Sequence, residues 1–433
     1  MSGQEGDGLP PVETLTGLLA GHLARDIDAA TRARARLHLI DWLACVAGAR
    51  HSALGDVARA AEPDALARAA LLGNLLEMDD VDRLGRLHPG PVVWPAALAA
   101  ARQEDAPVGA LLDGAVRGYE AMVRVGRSLD DHHYAHWHPT ATAGGFGAAA
   151  AAASIFGMGA LETAWALGHA GSLAGGLWQV RHEPAAMTKA VHVAHAARSG
   201  LWHARLARRG CAGVLGILEG PQGLFAAATS APRPGAVAAP LAGWRIAEVS
   251  FKPWAACRHA HPAIDAALAL PQGALSEGPI LVETTGDAIR FCDRPHPATE
   301  AEAKFSLQHA VAVVAVRGAP QLADFAPPAL ADAALAAARA RVRLARDPGF
   351  DSAYPAHFGA RVLAGGAAAE VADAWGDPEN PLDAAGLLAK LEALAAWGGL
   401  GAGAAEEARR LALELPDDAP AAPLVALLEA WLA

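Results

Sequence analysis

Lysine is the rarest charged residue in this chain, so each lysine is a candidate for a specific chemical role. Arginine outnumbers lysine by 31 to 4 among the 433 residues. An ammonium group transfers a proton or acts as a compact charge, whereas a guanidinium stays charged and planar. The four positions are Lys189, Lys252, Lys304 and Lys390. The amphipathic pattern around Lys390 predicts a solvated surface side chain there.

Histidine is abundant, and many of the 18 histidines gather in three segments, at 132–138, 182–195 and 259–261. Imidazoles suit proton transfer near neutral pH. A metal site in the first segment is the alternative interpretation. The irregular spacing disfavours it, because no H-E-x-x-H motif or paired-cysteine pattern accompanies these histidines. We therefore expect no metal ligands among them.

A run of carboxylates, residues 77–82, precedes a histidine at position 88. This order places acidic side chains close to an imidazole, as a pair of acid and base groups requires. The alternative interpretation is a polar loop that follows a helix ending at Leu76. The pattern alone leaves both interpretations open.

Helices must position most of these side chains. Apolar residues recur every three or four positions over 12–23, 32–47, 65–76, 94–102 and 111–127, which predicts a series of amphipathic helices. An alanine run at 148–155 follows the glycines at 144, 145 and 147. Small side chains permit close helix approach, so this run predicts a tightly packed central helix.

The composition changes after a Pro- and Gly-rich stretch at 230–242, the best candidate for a linker. Short, partly β-branched runs predict strands at 244–250, 279–285, 288–291, 341–345 and 360–364, beside helices at 306–316 and 329–340. From Asp383 the pattern is helical again. We predict a mainly α protein, with an all-helical domain over 1–240 that 383–433 rejoins, and a smaller α+β domain over 241–382.

Composition and charge exclude several classes of protein. Hydrophobic residues make up 53% of the chain and charged residues 19%, which indicates a globular protein with large cores. A net charge of −11 opposes a broad surface for nucleic acid or anionic membrane. The N-terminus lacks a basic segment followed by an apolar one, so we expect no secretory signal and a cytoplasmic location. Four widely spaced cysteines predict free thiols.

A series of short motifs, in this order over about residues 12–365, resembles the MmgE/PrpD family. The first are Asp41-Trp42-Leu43-Ala44-Cys45, the acidic run followed by His88-Pro89-Gly90, Gly118-Tyr119-Glu120, and His138-Pro139-Thr140. The later ones are Thr188-Lys189, Phe251-Lys252-Pro253, Cys257-Arg258-His259 and Ala303-Lys304-Phe305-Ser306. Their common order across most of the chain is what carries the resemblance.

The resemblance implies a large all-helical domain with an α+β lid domain, a homodimer, and a site in the cleft between the domains without a metal or organic cofactor. Members of the family include 2-methylcitrate dehydratase, cis-aconitate decarboxylase and iminodisuccinate epimerase. All of them act beside a carboxylate of a small di- or tricarboxylic acid. Cations near that carboxylate lower the barrier to such chemistry, because negative charge develops there.

The resemblance also implies roles for individual residues. His138 and His88 match the acid and base pair, and Lys189 matches an active-site lysine. Glu77 and Asp80 occupy the first and last acidic positions of an Asp-x-Asp-Asp-Thr motif and are catalytic candidates as well. The candidates for substrate binding are Lys252, Arg258, His259 and Lys304.

The sequence departs from the family pattern at a few positions. Glu77 replaces an aspartate, Val81 replaces a threonine, and one extra residue precedes His88. His309 stands where the family has a tyrosine, and we keep it as a catalytic candidate with a different pKa and reach. These departures leave the identity of the substrate open.

We therefore expect a cofactor-independent lyase of the hydro-lyase type, which acts on a small polycarboxylate by histidine and lysine acid–base catalysis. An epimerase or isomerase and a decarboxylase of a similar acid are the alternatives within the family. A non-catalytic polyanion-binding protein and an all-helical scaffold are the alternatives outside it. The absence of internal repeats disfavours the scaffold.

Overall fold

A computed structural model describes residues 13–183, 186–240 and 242–433 of the chain. The predicted helix over 12–23 therefore begins one residue outside the described part. The N-terminal residues on which the expectation of no secretory signal rests also lie outside it. Within the described ranges, no helix is both long and apolar enough to cross a lipid bilayer. All four cysteines are free thiols, as predicted.

Helices make up the first part of the chain. They are α1 (Leu15–Leu23), α2 (Ala29–Ala49), α3 (Ala53–Ala61), α4 (Ala65–Leu72), α5 (Gly90–Gln103), α6 (Val108–Ser128), α7 (Asp131–His136), α8 (Pro139–Ile155), α9 (Ala160–Ser172), α10 (Thr188–Arg208), α11 (Leu224–Ala228) and α12 (Gly235–Ala238). Polar side chains begin the first four, where Thr14, Asp28, Ser52 and Asp64 accept hydrogen bonds from backbone N–H groups of the first turn. The helices expected from apolar periodicity are confirmed.

Helix α8 forms the centre of this part and packs against α5, α6, α9 and α10. Its alanine and glycine residues are buried almost throughout. A Cβ added at Gly118 of α6 would lie 2.9 Å from the carbonyl oxygen of Gly147 in α8, so only glycine allows this approach. The prediction of a tightly packed central helix is confirmed.

A small sheet forms the core of the second part. Its strands are β1 (Ile280–Thr284), β2 (Val342–Arg346), β3 (Ala360–Ala364) and β4 (Ala367–Val371), in the order β2-β1-β3-β4. Strand β1 runs parallel to β2 and antiparallel to β3, with Val282 opposite both Leu344 and Val362. The helices of this part are α13 (His261–Leu268), α14 (Gly286–Cys292), α15 (Glu300–Lys304), α16 (Leu307–Arg317), α17 (Pro327–Leu330), α18 (Ala333–Arg341) and α19 (Pro348–Ala353).

Two predicted strands are wrong. Residues 244–250 contain a 3-10 turn at Arg245–Glu248, and residues 288–291 lie inside helix α14. Thr285 explains the second error, because its side chain accepts a hydrogen bond from Ala288 N and so begins a helix directly after β1. Strand β4 was not predicted, since its alanines have low β propensity.

The last helices return to the first part of the chain. They are α20 (Ala384–Trp397), α21 (Ala402–Leu413) and α22 (Ala422–Trp431). Helices α20 and α21 pack against α2, and α22 packs against α4 and α5. The fold class is therefore mainly α with a smaller α+β part, as predicted. The division at residues 240 and 383 remains a prediction.

Candidate active site

The acidic run forms a loop, residues 77–82, which is called the acidic loop below. A pair of backbone hydrogen bonds of 2.9 Å, between Val81 and Ser250, joins this loop to the segment that carries Lys252. As a result, Lys252 Nζ lies 3.5 Å from Asp79 Oδ1 and 3.7 Å from Glu77 Oε2. Its side chain is fully buried and, among the described residues, its ammonium group has no hydrogen-bond partner.

Lys189 approaches the same loop from the first turn of α10. Its ammonium group donates a hydrogen bond to Glu77 Oε1 and lies 5.5 Å from the centre of the Phe305 ring. Glu77 has a φ of 56°, which is uncommon for a residue other than glycine. This backbone conformation marks the loop as a functional site candidate, because such residues cluster at active sites.

His88 lies on the other side of Asp79. Its Nδ1 is 2.9 Å from Asp79 Oδ2 and 3.0 Å from the carbonyl oxygen of Asp80, so Nδ1 carries a proton and donates it to these acceptors. The Nε2 atom is then the one left for a substrate. The backbone N of His88 also donates to Thr140 Oγ1 (3.1 Å), which ties this residue to the start of α8.

His138 immediately precedes α8, and its backbone N donates to the carbonyl oxygen of Gly176 (2.7 Å). Gly176 has a φ of 99°, and a Cβ there would meet the side chain of Ala141 at 2.4 Å, so this close contact requires glycine. The His138 ring lies 4.5 Å from Trp178 and 5.6 Å from His192, between ring centres. Its Nδ1 is buried and has no hydrogen-bond partner among the described residues.

Burial lowers the pKa of His138 well below the ordinary value of 6.5, and the charges of Lys189, His192 and His88 lower it further. The imidazole is therefore neutral at physiological pH. A neutral imidazole accepts a proton, so His138 is the best-placed general base of the cluster. Lys189, Lys252, His88 and Glu77 join it in one group, as the resemblance implies.

We expect the His138 imidazole to titrate well below pH 6.5, the ordinary histidine value. Because Lys189 contributes to this depression, the Lys189→Met variant should titrate at higher pH than the native protein. The titration can be followed by NMR with [15N]histidine labelling, after assigning the signal by its absence in His138→Gln. Lys304→Met is the matched control and should leave the midpoint unchanged. A native midpoint near 6.5 would contradict the expectation.

Asp80 lies behind the cluster in a polar network. Its carboxylate accepts hydrogen bonds from Tyr119 Oη (2.6 Å) and Gly90 N (2.8 Å), and His38 Nδ1 lies 2.7 Å from it. Burial raises the pKa of Asp80 to about 6, although Tyr119 and Gly90 oppose this effect. Asp80 thus holds the acidic loop in place through Tyr119, Gly90 and His38. Both of its carboxylate oxygens already have partners.

Lys390 was predicted to be a surface residue, and this prediction is wrong. It is buried, and its ammonium group donates to Asp41 Oδ1 (2.6 Å), to the carbonyl oxygen of Lys252 (3.0 Å) and to that of Met78. One cation therefore holds the backbone of the acidic loop and that of the Lys252 segment together. The amphipathic pattern gave the wrong prediction because the buried face of α20 contains a lysine whose partner, Asp41, is remote in the sequence.

We expect Lys390→Met to destabilise the fold by about 3–5 kcal/mol, because Asp41 would be left as a buried charge without its partner. We also expect a lower kcat/KM, because the two active-site segments would lose their shared donor. Thermal unfolding and kinetics on the folded fraction would measure both effects. In the double variant Asp41→Asn/Lys390→Met, stability should partly return while activity should not. Recovery of both would show that Lys390 acts through stability alone.

Other predicted site residues have partners elsewhere. Arg258 forms an ion pair with Asp377 (2.5 Å), and the buried His259 packs between the rings of Phe291 and Phe358. Lys304 pairs with Glu300 at 2.8 Å and lines a cavity that Glu77 and Lys189 also line. Of these three, only Lys304 therefore faces the same space as the cluster.

The structure does not bring His309 to the cluster. Its Nε2 donates to the carbonyl oxygen of Asp324 (2.7 Å), and its Nδ1 accepts from Arg339 Nη1 (3.0 Å). Burial lowers the pKa of this imidazole, and Asp324 only partly opposes this effect. Both ring nitrogens are occupied, so His309 has a packing role in this structure rather than the catalytic role that its alignment with a tyrosine suggested.

Comparison with known proteins identifies the family. Residues 63–236 match the MmgE/PrpD N-terminal domain, and residues 254–415 match the MmgE/PrpD C-terminal domain. The chain is 32% identical over 229 residues to a protein of Aspergillus oryzae named cis-aconitate decarboxylase-like protein oryM. That match covers 46% of this chain and 47% of the relative. The chain belongs to the MmgE/PrpD family.

Proposed function

We propose that this protein is a lyase of the hydro-lyase type, which removes water across a carbon–carbon bond beside a carboxylate of a small di- or tricarboxylic acid. The observation that supports it best is the buried imidazole of His138 in one cluster with the ammonium groups of Lys189 and Lys252. Burial lowers the pKa of this imidazole, which favours its neutral form. A neutral imidazole accepts a carbon-bound proton, and nearby cations stabilise the negative charge that results. Membership in the family supports the same class of reaction.

In the proposed reaction, His138 takes the proton from the carbon beside the substrate carboxylate. The electron pair of that C–H bond becomes the new carbon–carbon π bond. The hydroxyl group on the adjacent carbon leaves with its bonding electrons and receives a proton from His88, so that water is the second product. The Nδ1 contact with Asp79 fixes the His88 ring. The step requires the imidazolium form of His88, in which both ring nitrogens carry a proton: Nε2 delivers its proton to the leaving hydroxyl group, and the Nδ1 proton stays at Asp79.

Charge stabilisation is the hardest part of this reaction, because proton removal beside a carboxylate creates a dianionic species. Lys252 suits this task, since its ammonium group is buried and has no hydrogen bond among the described residues. Electrostatic stabilisation is strongest in such a water-excluded place. Glu77 holds Lys189 at the same site, where the second ammonium group can contact the substrate.

Decarboxylation is the second candidate, and the name of the Aspergillus oryzae relative, cis-aconitate decarboxylase-like protein, favours it. In that reaction the C–C bond to a carboxylate breaks, carbon dioxide leaves, and the electron pair that stays on carbon accepts a proton. The same histidines and lysines suit this chemistry. Epimerisation, by removal of a proton and its return on the opposite face, is a third possibility and needs no leaving group.

Proton NMR of the protein with citrate, 2-methylcitrate, cis-aconitate, tartrate, malate and aminodicarboxylates tests the proposal. In deuterium oxide, a new vinyl signal with loss of water supports a hydro-lyase. Release of carbon dioxide supports the decarboxylase, and deuterium entry without either product supports an epimerase. Binding of these acids without any turnover, observed as a rise in Tm, would contradict catalysis and favour a polyanion-binding protein.

A further inference from the structure

A large cavity opens beside the catalytic cluster. Its volume is about 760 Å³, and Glu77 and Lys189 are part of its wall. His88, His138 and Lys252 do not line it. The cavity and the buried cluster therefore meet at the ion pair between Glu77 and Lys189 and at Trp178, whose ring lies 4.5 Å from that of His138.

The rest of the cavity wall is mainly apolar. Among its members are Leu54, Leu76, Val180, Met187, Phe305 and Trp397. Leu76 directly precedes Glu77, and Met187 lies two residues before Lys189, so the apolar wall begins at the ion pair itself. Met187 and Trp397 are 45% and 46% exposed, so the apolar part of the wall extends to the protein surface.

The charged side chains on the wall largely offset each other. Lys304 pairs with Glu300 at 2.8 Å, and Arg294 lies 3.8 Å from Glu302. Arg181 packs over the ring of Phe291, 3.7 Å from its centre. These contacts leave the ammonium group of Lys189, beside Glu77, as the place for a carboxylate, and the apolar wall as the place for hydrocarbon.

The size of the cavity also argues for a larger ligand. Sites of about 300–1,000 Å³ hold ligands of drug size, and this cavity lies well within that range. An unsubstituted di- or tricarboxylic acid such as citrate has little hydrocarbon to place against such a wall. Water in contact with the wall would be released by an alkyl group, which is favourable by about 25 cal/mol per Å² of apolar surface.

We propose that the preferred substrate is a polycarboxylic acid with an extended alkyl substituent, whose chain lies along the apolar wall while a carboxylate contacts Lys189. This inference rests on the proposed function and specifies its substrate class. The reacting carbon lies at the cluster, and the alkyl group extends past the Glu77 and Lys189 pair toward Met187 and Trp397. Specificity then depends on residues outside the acid–base machinery.

A chain-length series tests this inference. The probes are citrate and its derivatives with a methyl, butyl or hexyl group on one arm. We expect kcat/KM to rise by about two- to fourfold for each methylene group that becomes buried. Turnover of the methyl compound with a flat or falling kcat/KM for butyl and hexyl would overturn the inference and leave the proposed function intact.

Variants of the exposed wall residues provide the matched comparison. Met187→Glu and Trp397→Glu place a carboxylate beside the expected path of the chain, and the ratio of kcat/KM for hexyl over methyl should fall at least about tenfold. Trp202→Glu changes another half-exposed tryptophan that does not line the cavity, and this ratio should stay the same. Equal ratios in all three variants would contradict the inference.

Failure of the proposed function gives a different result. If no member of the series is turned over, the lyase proposal is contradicted, and the cavity is tested by the rise in Tm with each acid. A rise that grows with chain length and disappears in Trp397→Glu would still support an alkyl-binding cavity. A rise that is independent of chain length, or no rise, would overturn it.

Discussion

Replacement of His138 by glutamine is expected to lower kcat by about 10²- to 10⁴-fold, the usual contribution of a positioned general base. Glutamine keeps a polar side chain of similar length but cannot take a proton from carbon. The backbone of His138 makes its hydrogen bond to Gly176 through N–H, so the start of α8 should persist. Steady-state kinetics together with circular dichroism would measure both properties.

His203 provides the matched control for this variant. It is a histidine with 1% exposure in α10, and burial lowers its pKa to about 4, with His169 and His195 adding to the effect. In the described part of the chain its ring nitrogens have no hydrogen-bond partner, and its ring contacts are with His169 and Trp202 rather than with the acid–base cluster. His203→Gln should therefore keep native kcat. Equal losses in the two variants would indicate a general effect of disturbing a buried histidine and would contradict the role of His138.

Replacement of Lys252 by methionine is expected to lower kcat/KM by about 10²- to 10³-fold, the usual effect of removing one group that stabilises developing negative charge. Methionine nearly preserves the shape of the fully buried side chain while removing its charge. Lys252 also lowers the pKa of Asp79, although burial acts in the opposite direction. Because the ammonium group of Lys252 is proposed to act on the substrate carboxylate both before and during proton removal, the variant should change KM as well as kcat.

Lys304→Met is the comparison for this second variant. Lys304 also lies near the site, but it already has an ion pair with Glu300, a side chain that is 43% exposed. Such a partly exposed pair contributes little, so we expect a loss of less than about fivefold in kcat/KM. A loss in Lys304→Met as large as that in Lys252→Met would mean that the net positive charge around the site matters, rather than one positioned ammonium group.

The sequence predicted the helical part of the fold well because the signal is local. Apolar periodicity acts over a few positions, and it placed the early helices correctly. The hydrogen bonds that Asp28 and Asp64 accept at helix starts in the structure are equally local. Short strands were harder. Residues 288–291 look β-forming by type, yet the hydrogen bond from Ala288 N to the side chain of Thr285 begins a helix there.

Most residues of the candidate site could be predicted from the sequence, but the contacts that they make with residues remote in the chain could not. Motif order identified His138, His88, Lys189 and Lys252, which the fold brings together. The contact between Lys390 and the carbonyl oxygen of Lys252 spans 138 positions, and no local pattern indicates a pairing at that distance. His309 failed for a related reason, because its ring nitrogens are occupied by Asp324 and Arg339, partners that only the folded chain reveals.

Asp79 is a residue of the site that the sequence analysis did not predict. It belongs to the acidic run, but its neighbours Glu77 and Asp80 drew attention because they match the ends of a family motif. In the structure Asp79 links His88 at 2.9 Å with Lys252 at 3.5 Å, and Asn74 Nδ2 donates to it at 2.7 Å. A carboxylate that joins a histidine to a lysine is central to the cluster. The one feature of the sequence that could have indicated this role is the position of Asp79 inside the acidic run, residues 77–82.

Transfer of a carbon-bound proton to His138 is the step on which the whole mechanism depends. The most informative experiment is the incorporation of deuterium from solvent at the carbon beside the carboxylate. It is measured by NMR for the native protein and for His138→Gln, with the same acid from the panel that begins with citrate and 2-methylcitrate. We expect rapid incorporation with the native protein and a rate at least about 10²-fold lower with the variant. Equal rates in the two proteins would show that another group removes the proton, and the assignment of His138 as the base would be wrong.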